Sequence, residues 1–242
     1  MKPISMRWIL LICVLISVID ADAQRMYNGR KDKLPDNRFR FGAIGGTLVG
    51  QIDGDYYLGF YKWGWYGGLK GEAIINKTFS LETNLAFVES GSQFEPWPIE
   101  DPLDTRPDRS INLYYVEIPV ICKIRWPIGK WNAGLELGMS FMTLFNSKVV
   151  EDDISRRYLV YTELQEDFDS SMQSILLGAE MQYERFSVSL RLNNALKPFY
   201  RNENFTNLYD YENGRYAIEK MRAYYISLVG AYTLFGDFSD RK

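Results

Sequence analysis

The sequence predicts an all-β fold, namely an eight-stranded antiparallel up-and-down transmembrane β-barrel with short periplasmic turns and long extracellular loops. Three observations support this prediction. Apolar and polar residues alternate with a period of two along much of the chain, as they do in strands with two unlike faces. The links between these segments are alternately short and long. No segment after the N-terminal region is apolar enough to span a membrane as a helix.

The N-terminal residues have the layout of a cleavable secretory signal. Lys2 and Arg7 precede an apolar run at 8–18, and small residues lead to a cleavage site near Ala23. The run is too short to cross a bilayer, so we expect export and removal of this segment. The predicted organisation is a signal peptide at 1–23, a periplasmic N-terminal segment at 24–37 and an outer-membrane β-barrel domain at 38–242.

Eight segments show alternating apolar and polar residues. The alternation is weaker in the first two segments and in the last one than in the other five. Segment 114–126 is the clearest, because its even positions are all apolar and its odd positions include Glu117, Lys123 and Arg125. An even number of strands suits a barrel whose termini lie on one side of the membrane. In chain order, the predicted strands are 39–50, 63–75, 79–90, 113–126, 130–145, 174–183, 186–194 and 222–235.

The predicted connections alternate in length without exception. Outer-membrane barrels have tight turns at the periplasmic rim and long loops outside, whereas a soluble sandwich has no reason to place every long loop at one end. The short links are 76–78, 127–130 and 184–185, and the long ones are about 51–62, 91–111, 146–171 and 195–221.

The polar faces of the predicted strands carry nine charged residues. If the apolar faces meet lipid, these charges fill the lumen and neutralise one another, because a buried ion is tolerated when it is paired. Arg40 would even the count if it also points inward. In a soluble protein the same residues would form a solvated face. The predicted lumen charge network consists of Lys70, Glu72, Glu82, Glu117, Lys123, Arg125, Glu136, Glu180 and Arg191.

Small residues favour the inward orientation of these charges. Gly134, Gly138 and Gly178 lie among the polar positions. An eight-stranded barrel has an interior just wide enough for its side chains, so glycines make room there for long charged ones. Pro119 lacks an amide hydrogen for the ladder, and we expect a local irregularity beside it without a shift of register.

Aromatic residues cluster near the predicted strand ends. Such clusters are typical of the girdles that mark the two interfaces of a membrane, although Trp and Tyr are also common strand residues in general. The predicted interface aromatics are Trp63, Trp65 and Tyr66 in one cluster and Trp126 and Trp131 in the other.

One strand resembles a known family. The segment LYYVEIPVICKI resembles the Tyr-x-Glu-Ile-Pro-x-x-x-Lys segment of the PorT-like outer-membrane β-barrel proteins of Bacteroidetes-type bacteria, and 39–69 resembles that family's first hairpin. The resemblance implies an eight-stranded outer-membrane barrel and brings no catalytic residue with it. Some members are linked to secretion and gliding machinery. The matching residues are Tyr115, Glu117, Ile118, Pro119 and Lys123.

Composition argues against several function classes. The net charge is −3, whereas nucleic-acid binding calls for a basic surface, so we expect no nucleic acid partner. The chain has no histidine, on which acyl-transfer triads generally rely, so we expect no enzymatic activity and no catalytic residue. Cys122 is the single cysteine outside the signal segment, so we also expect no disulfide, no metal site and no cofactor.

The expected role is that of a structural or accessory subunit, or a surface-binding module, of an outer-membrane complex such as secretion or assembly machinery. Its external loops would be the contact site. The expected partners are outer-membrane lipid and a protein in or on the outer membrane. Two alternatives stay open: a soluble lipocalin-like periplasmic carrier, and a narrow gated channel past Lys123 and Arg125.

Overall fold

The computed structural model describes residues 38–55, 59–93, 109–151, 164–203, 209–210, 215–216 and 218–236. The predicted signal peptide, the predicted periplasmic segment and the middle parts of the predicted long loops lie outside these residues. Within them, no helix is long and apolar enough to cross a membrane.

The described residues form eight long strands, three two-residue strands and one 3-10 turn at Gln165–Asp167. The long strands are β1 (Phe39–Asp53), β2 (Lys62–Ile74), β3 (Phe79–Gln93), β4 (Arg109–Ile128), β5 (Trp131–Glu151), β6 (Ser171–Tyr183), β7 (Phe186–Ala195) and β11 (Lys220–Phe235). The short ones are β8 (Tyr200–Arg201), β9 (Tyr209–Asp210) and β10 (Arg215–Tyr216).

The eight long strands close into a ring. Each strand from β1 to β7 pairs antiparallel with the next, β7 pairs with β11, and β11 pairs with β1. This pairing confirms the predicted up-and-down barrel. The tight connections β2–β3, β4–β5 and β6–β7 lie together at what we call the short-turn end. The other connections leave from the opposite, long-loop end.

The outer wall of the ring is apolar. Leu135 and Leu190 are 54% and 56% exposed, while Glu117, Glu136 and Arg191, which point the other way, are almost fully buried. Strand residues alternate between the two faces of a sheet, so an apolar outer face and a charged inner face follow from one alternating sequence. Cys122 also lies on the outer wall.

Two of the strands are much longer than a bilayer requires. A tilted transmembrane strand needs about 9–11 residues, whereas β4 has 20 and β5 has 21. Their ladder continues to the pair Arg109↔Glu151, so this hairpin extends past the lipid-facing segment at the long-loop end. The sequence predicted shorter strands here because it assigned these residues to loops.

The inward face of β4 changes in polarity along the strand. Its odd-numbered residues point inward throughout, but Glu117 and Lys123 are charged, whereas Leu113 and Ile111, nearer the long-loop end, are apolar and buried. The change falls beside the register shift at Tyr114/Tyr115, where Phe145 of β5 has no partner on β4. Water replaces lipid outside the bilayer, so apolar side chains there gain by pointing in, as in a soluble protein.

An apolar core therefore fills the long-loop half of the interior, which the sequence predicted as wholly polar. The β7–β11 connection completes this core with Phe199 and Ile218, both nearly inaccessible to solvent. Phe199 donates its amide hydrogen to the Met221 carbonyl at 2.9 Å, and its ring meets Phe168 edge-on. The strands contribute Ile44, Leu48, Ile52, Tyr66, Val88, Ile111, Leu113, Tyr115, Met142, Met172 and Tyr225.

Pro119 leaves the register of β4 intact. It faces Ser140 in an unbroken ladder with β5, while on the β3 side the pairing skips from Thr83↔Val120 to Ala86↔Glu117. A proline cannot donate to the ladder, so the interruption appears on one side only. The predicted local irregularity without a register shift is confirmed.

The aromatic clusters lie near the two ends of the wall, with one correction. Trp63 and Trp65 are 68% and 73% exposed at the long-loop end, and Trp126 and Trp131 are exposed at the short-turn end. Tyr66 was predicted beside them, but it is 3% exposed and belongs to the apolar core. Its neighbour Trp65 faces outward, so alternation forces Tyr66 inward.

Candidate functional site

All nine predicted lumen charges lie inside the barrel, and each is almost fully buried. Eight of them form one set of ion pairs that we call the lumen network. They come from β2 to β7 and lie mostly toward the short-turn half. The members are Lys70, Glu72, Glu82, Lys123, Arg125, Glu136, Glu180 and Arg191.

Lys123 occupies the centre of the lumen network. Its Nζ atom lies 2.6 Å from Glu82 Oε2, 2.9 Å from Glu136 Oε1 and 2.8 Å from Glu180 Oε1. These carboxylates come from β3, β5 and β6, so one ammonium group on β4 links four strands. An ammonium has three hydrogens to donate, and three carboxylate oxygens accept them here.

Arg191 crosses the lumen. Its Nε and Nη2 atoms bind both oxygens of Glu136 at 2.7 and 3.0 Å, and Nη2 also lies 2.9 Å from Glu82 Oε1. Arg191 is on β7 and Glu82 on β3, which are diametrically opposite in the ring of eight. This bond therefore spans the lumen from one wall to the opposite wall at that level.

Arg125 extends the lumen network toward the short-turn end, and Lys70 joins the network from β2. Arg125 donates from Nε to Glu180 at 2.8 Å and from Nη1 to Glu72. Lys70 Nζ lies 3.4 Å from Glu82 Oε2 and 3.9 Å from Glu72 Oε2. Ser80 supports this part by donating its hydroxyl hydrogen to Glu72 at 2.7 Å. The lumen network is therefore continuous from β2 to β7.

Glu117 is held differently from the other predicted charges. Tyr225 donates its hydroxyl hydrogen to Glu117 at 2.7 Å, and Asn193 donates from Nδ2 at 3.0 Å. The ion pairs formed by the described residues include none at Glu117, so four cations face four carboxylates in the lumen network. Tyr225 is on β11, opposite β4, so this bond is a second bridge across the lumen.

Glycines on the inner wall leave space for the long charged side chains. A Cβ atom added at Gly178 would lie 2.8 Å from Glu136 Oε2 and 3.1 Å from Arg191 Cγ. One added at Gly134 would lie 3.1 Å from Arg125 Cγ. Charged side chains therefore lie directly over Gly134 and Gly178, in agreement with the prediction, whereas a Cβ at Gly138 would meet the Val120 carbonyl and Ile121 instead.

The sequence missed the neutral side chains that complete the site. Ser80, Asn193 and Tyr225 each donate a hydrogen bond to a buried carboxylate, and Ser189 does so to Glu136 at 3.0 Å. The alternating sequence pattern could have revealed these four residues, because all of them occupy inward-facing strand positions. The lumen as a whole joins opposite walls through neutralised and hydrogen-bonded groups.

A closed antiparallel ring with an apolar outer wall and a charge-paired lumen defines the class of transmembrane β-barrels. The chain belongs to the outer membrane protein beta-barrel domain family, whose model matches residues 22–201. It is an outer-membrane protein, and its short-turn end faces the periplasm. The match stops short of β11, the strand that closes the ring.

Two of the solved structures that this chain matches are proteins of different bacteria. The attachment invasion locus protein Ail of Yersinia pestis is 13% identical, with 81% of this chain and 99% of that chain covered and a TM-score of 0.35. The outer membrane protein OprG from Pseudomonas aeruginosa is 10% identical, with 85% and 99% covered and a TM-score of 0.41. A comparison with curated proteins gives no match.

Replacing Lys123 by methionine tests the lumen network. We expect the free energy of unfolding to fall by about 3–5 kcal/mol, because three buried carboxylates lose their shared cation. The measurement is denaturant unfolding of the full chain in micelles, in which the folded and unfolded fractions are quantified by their different migration on gels. The control Lys148→Met, at an exposed position, should change it by less than about 0.5 kcal/mol. Equal midpoints for the two variants would contradict a central role of Lys123.

A second prediction concerns Gly178. Gly178→Ala places a methyl group against Glu136 and should lower the free energy of unfolding by about 1–3 kcal/mol, because the overpacked carboxylate has to move. The matched control is Gly67→Ala on the outer wall, where an added Cβ meets nothing within 4 Å. The same unfolding assay should find that control neutral or slightly stabilised. Equal losses in both variants would refute the steric explanation.

Proposed function

We propose that this protein is a closed outer-membrane anchor that holds a partner-binding surface outside the bilayer, as an accessory subunit or surface-binding module of an outer-membrane complex. The observation that supports it best is the pair of bridges across the lumen, Arg191 to Glu82 and Tyr225 to Glu117. A barrel held shut from wall to opposite wall is better suited to presenting a surface than to passing a solute.

Closure at two levels weighs against the channel alternative. The lumen network occupies the short-turn half of the interior, and the apolar core occupies the long-loop half. An ion crossing the barrel would have to separate paired charges and then enter an apolar layer, and both steps cost free energy. A lipocalin-like carrier needs an apolar lumen and a polar exterior, whereas the wall here is apolar outside.

The proposed contact surface is built on the extension of β4 and β5. The exposed side chains of Phe145 and Val150 lie on this extension, and Gln165 donates from Nε2 to the Ser147 carbonyl at 2.7 Å, which ties the following segment to the hairpin. Residues 156–161, with the sequence RRYLVY, continue from it. Exposed aromatic and apolar side chains beside charges are the usual composition of a protein interface.

We also propose that the chain is a PorT-like protein of a Bacteroidetes-type bacterium, and that the complex it serves is secretion or assembly machinery. This finer assignment is supported by the Tyr-x-Glu-Ile-Pro-x-x-x-Lys segment from Tyr115 to Lys123. In the structure, Glu117 accepts the hydrogen bond from Tyr225 that bridges the lumen, and Lys123 lies at the centre of the lumen network. Both motif positions therefore have a physical role.

Proteoliposome swelling tests the closed state. Liposomes that carry the wild-type chain should swell in small sugars no faster than empty liposomes, because bonded side chains occupy the lumen. The double variant Glu82→Gly with Arg191→Gly removes one bridge together with the bulk of both side chains, and it should swell measurably faster. Rapid swelling with the wild-type chain would favour the channel instead.

Cross-linking in intact cells tests the partner surface. The tagged chain should yield a discrete cross-linked species that disappears when residues 152–163 are replaced by a Gly-Ser segment of equal length. The control Arg185→Gln, at the opposite end, should retain it. Heat-modified migration on gels checks that each barrel is folded. The proposal fails if the loop variant keeps the cross-linked species or if the wild-type chain gives none.

A further inference from the structure

A cavity of about 330 Å³ lies at the short-turn end of the barrel. Its lining comes from the turns after β2 and β4, the ends of β2, β4 and β6 and the starts of β1, β3 and β5. This end faces the periplasm. Pockets that bind small molecules usually have volumes of about 300–1,000 Å³, so the cavity is large enough for a small polar ligand.

The lining of this cavity is basic. Arg40, Lys77 and Arg125 contribute to it, and the described residues that line it include no aspartate or glutamate. The other polar lining residues carry hydroxyl or amide groups. Glu72 and Glu180 contact Arg125 but are not part of the lining. A ligand in the cavity would therefore meet positive charge and hydrogen-bond donors.

Arg125 is the deepest of the three cations, with a side chain only 9% exposed. Glu180 and Glu72 accept hydrogen bonds from its Nε and Nη1 atoms, which fix the guanidinium plane. Its Nη2 atom is buried and has no hydrogen-bond partner among the described residues. A buried donor without a partner is costly, and an anionic oxygen would satisfy it.

The turn beside the cavity is rigid. Asn76 Oδ1 accepts the amide hydrogens of Thr78 and Phe79 at 2.8 and 2.7 Å, which fixes the Asn76 side chain and leaves its Nδ2 group as a donor that the turn does not use. The Thr78 carbonyl accepts the amide hydrogen of Arg125 at 2.7 Å. The turn that carries Lys77 is thus attached to the strand that carries Arg125.

We propose that this cavity binds a phosphate-type oxyanion from the periplasmic side, with Lys77, Arg40 and Arg125 as its cationic contacts. Guanidinium and ammonium groups with neutral donors around them match the charge and the several acceptor oxygens of such a group. The oxyanion can belong to a soluble phosphate compound or to the headgroup of an anionic lipid in the inner leaflet. This site is separate from the proposed external contact surface.

The experiment uses the full chain and two probes. Inorganic phosphate is titrated by calorimetry against the protein in a zwitterionic detergent at constant ionic strength. In the second arm, the chain is placed in nanodiscs of phosphatidylcholine with or without phosphatidylglycerol, and the thermal unfolding midpoint is compared. The variants are Lys77→Gln and Arg40→Gln. The matched control is Lys130→Gln, which removes the same charge from the β4–β5 turn, where Gly129 lines the cavity but Lys130 does not.

We expect one or both probes to act in a saturable way, with Lys77→Gln and Arg40→Gln weakening the effect at least fivefold and Lys130→Gln changing it less than twofold. A response to inorganic phosphate identifies a soluble ligand, and a response to phosphatidylglycerol alone identifies the lipid. Equal weakening in all three variants would mean diffuse surface charge and would overturn the proposal. Absence of a saturable response to either probe in the folded wild-type chain would also overturn it.

Discussion

The structure depends on one electrostatic requirement, which is that every charged group placed inside a narrow barrel has to be paired with an opposite charge or held by hydrogen bonds there. Eight strands enclose an interior with room for side chains and little water. Lys123 meets this requirement by contacting three carboxylates, and Arg191 by holding Glu136 with two parallel hydrogen bonds. Because these partners come from different strands, neutralising the charges also joins the walls of the barrel.

The same requirement explains two of the glycines on the inner wall, Gly134 and Gly178. Long side chains that cross the lumen need a neighbouring position without bulk, and Gly178 lies directly beneath the pair of Glu136 and Arg191. Gly67 on the outer wall has no such neighbour and meets open space. Glycines on the two faces of one barrel therefore have different physical roles, although they look alike in the sequence.

The sequence predicted the membrane-embedded half of the molecule well, because lipid imposes one simple rule on it. Alternation in 114–126 predicted which residues face inward, and the loop lengths predicted the up-and-down order. Prediction failed where that rule ends. Tyr66 was grouped with its aromatic neighbours, and the change of the inward β4 positions from charged to apolar was overlooked, although Ile111 and Leu113 already place apolar residues at odd positions. Cross-strand partners such as Tyr225 and Glu117 depend on ring closure, which no local pattern contains.

Because side chains fill the lumen, the two proposed binding sites lie at the two ends of the barrel. The short-turn end places three cations around a cavity, whereas the opposite end raises the β4–β5 hairpin past the lipid and covers the interior with Phe199 and Ile218. An intact network between the ends resists deformation, since separating any of its pairs strands a charge in a place with little water. The proposed oxyanion site and the proposed contact surface therefore lie at opposite ends of one closed barrel.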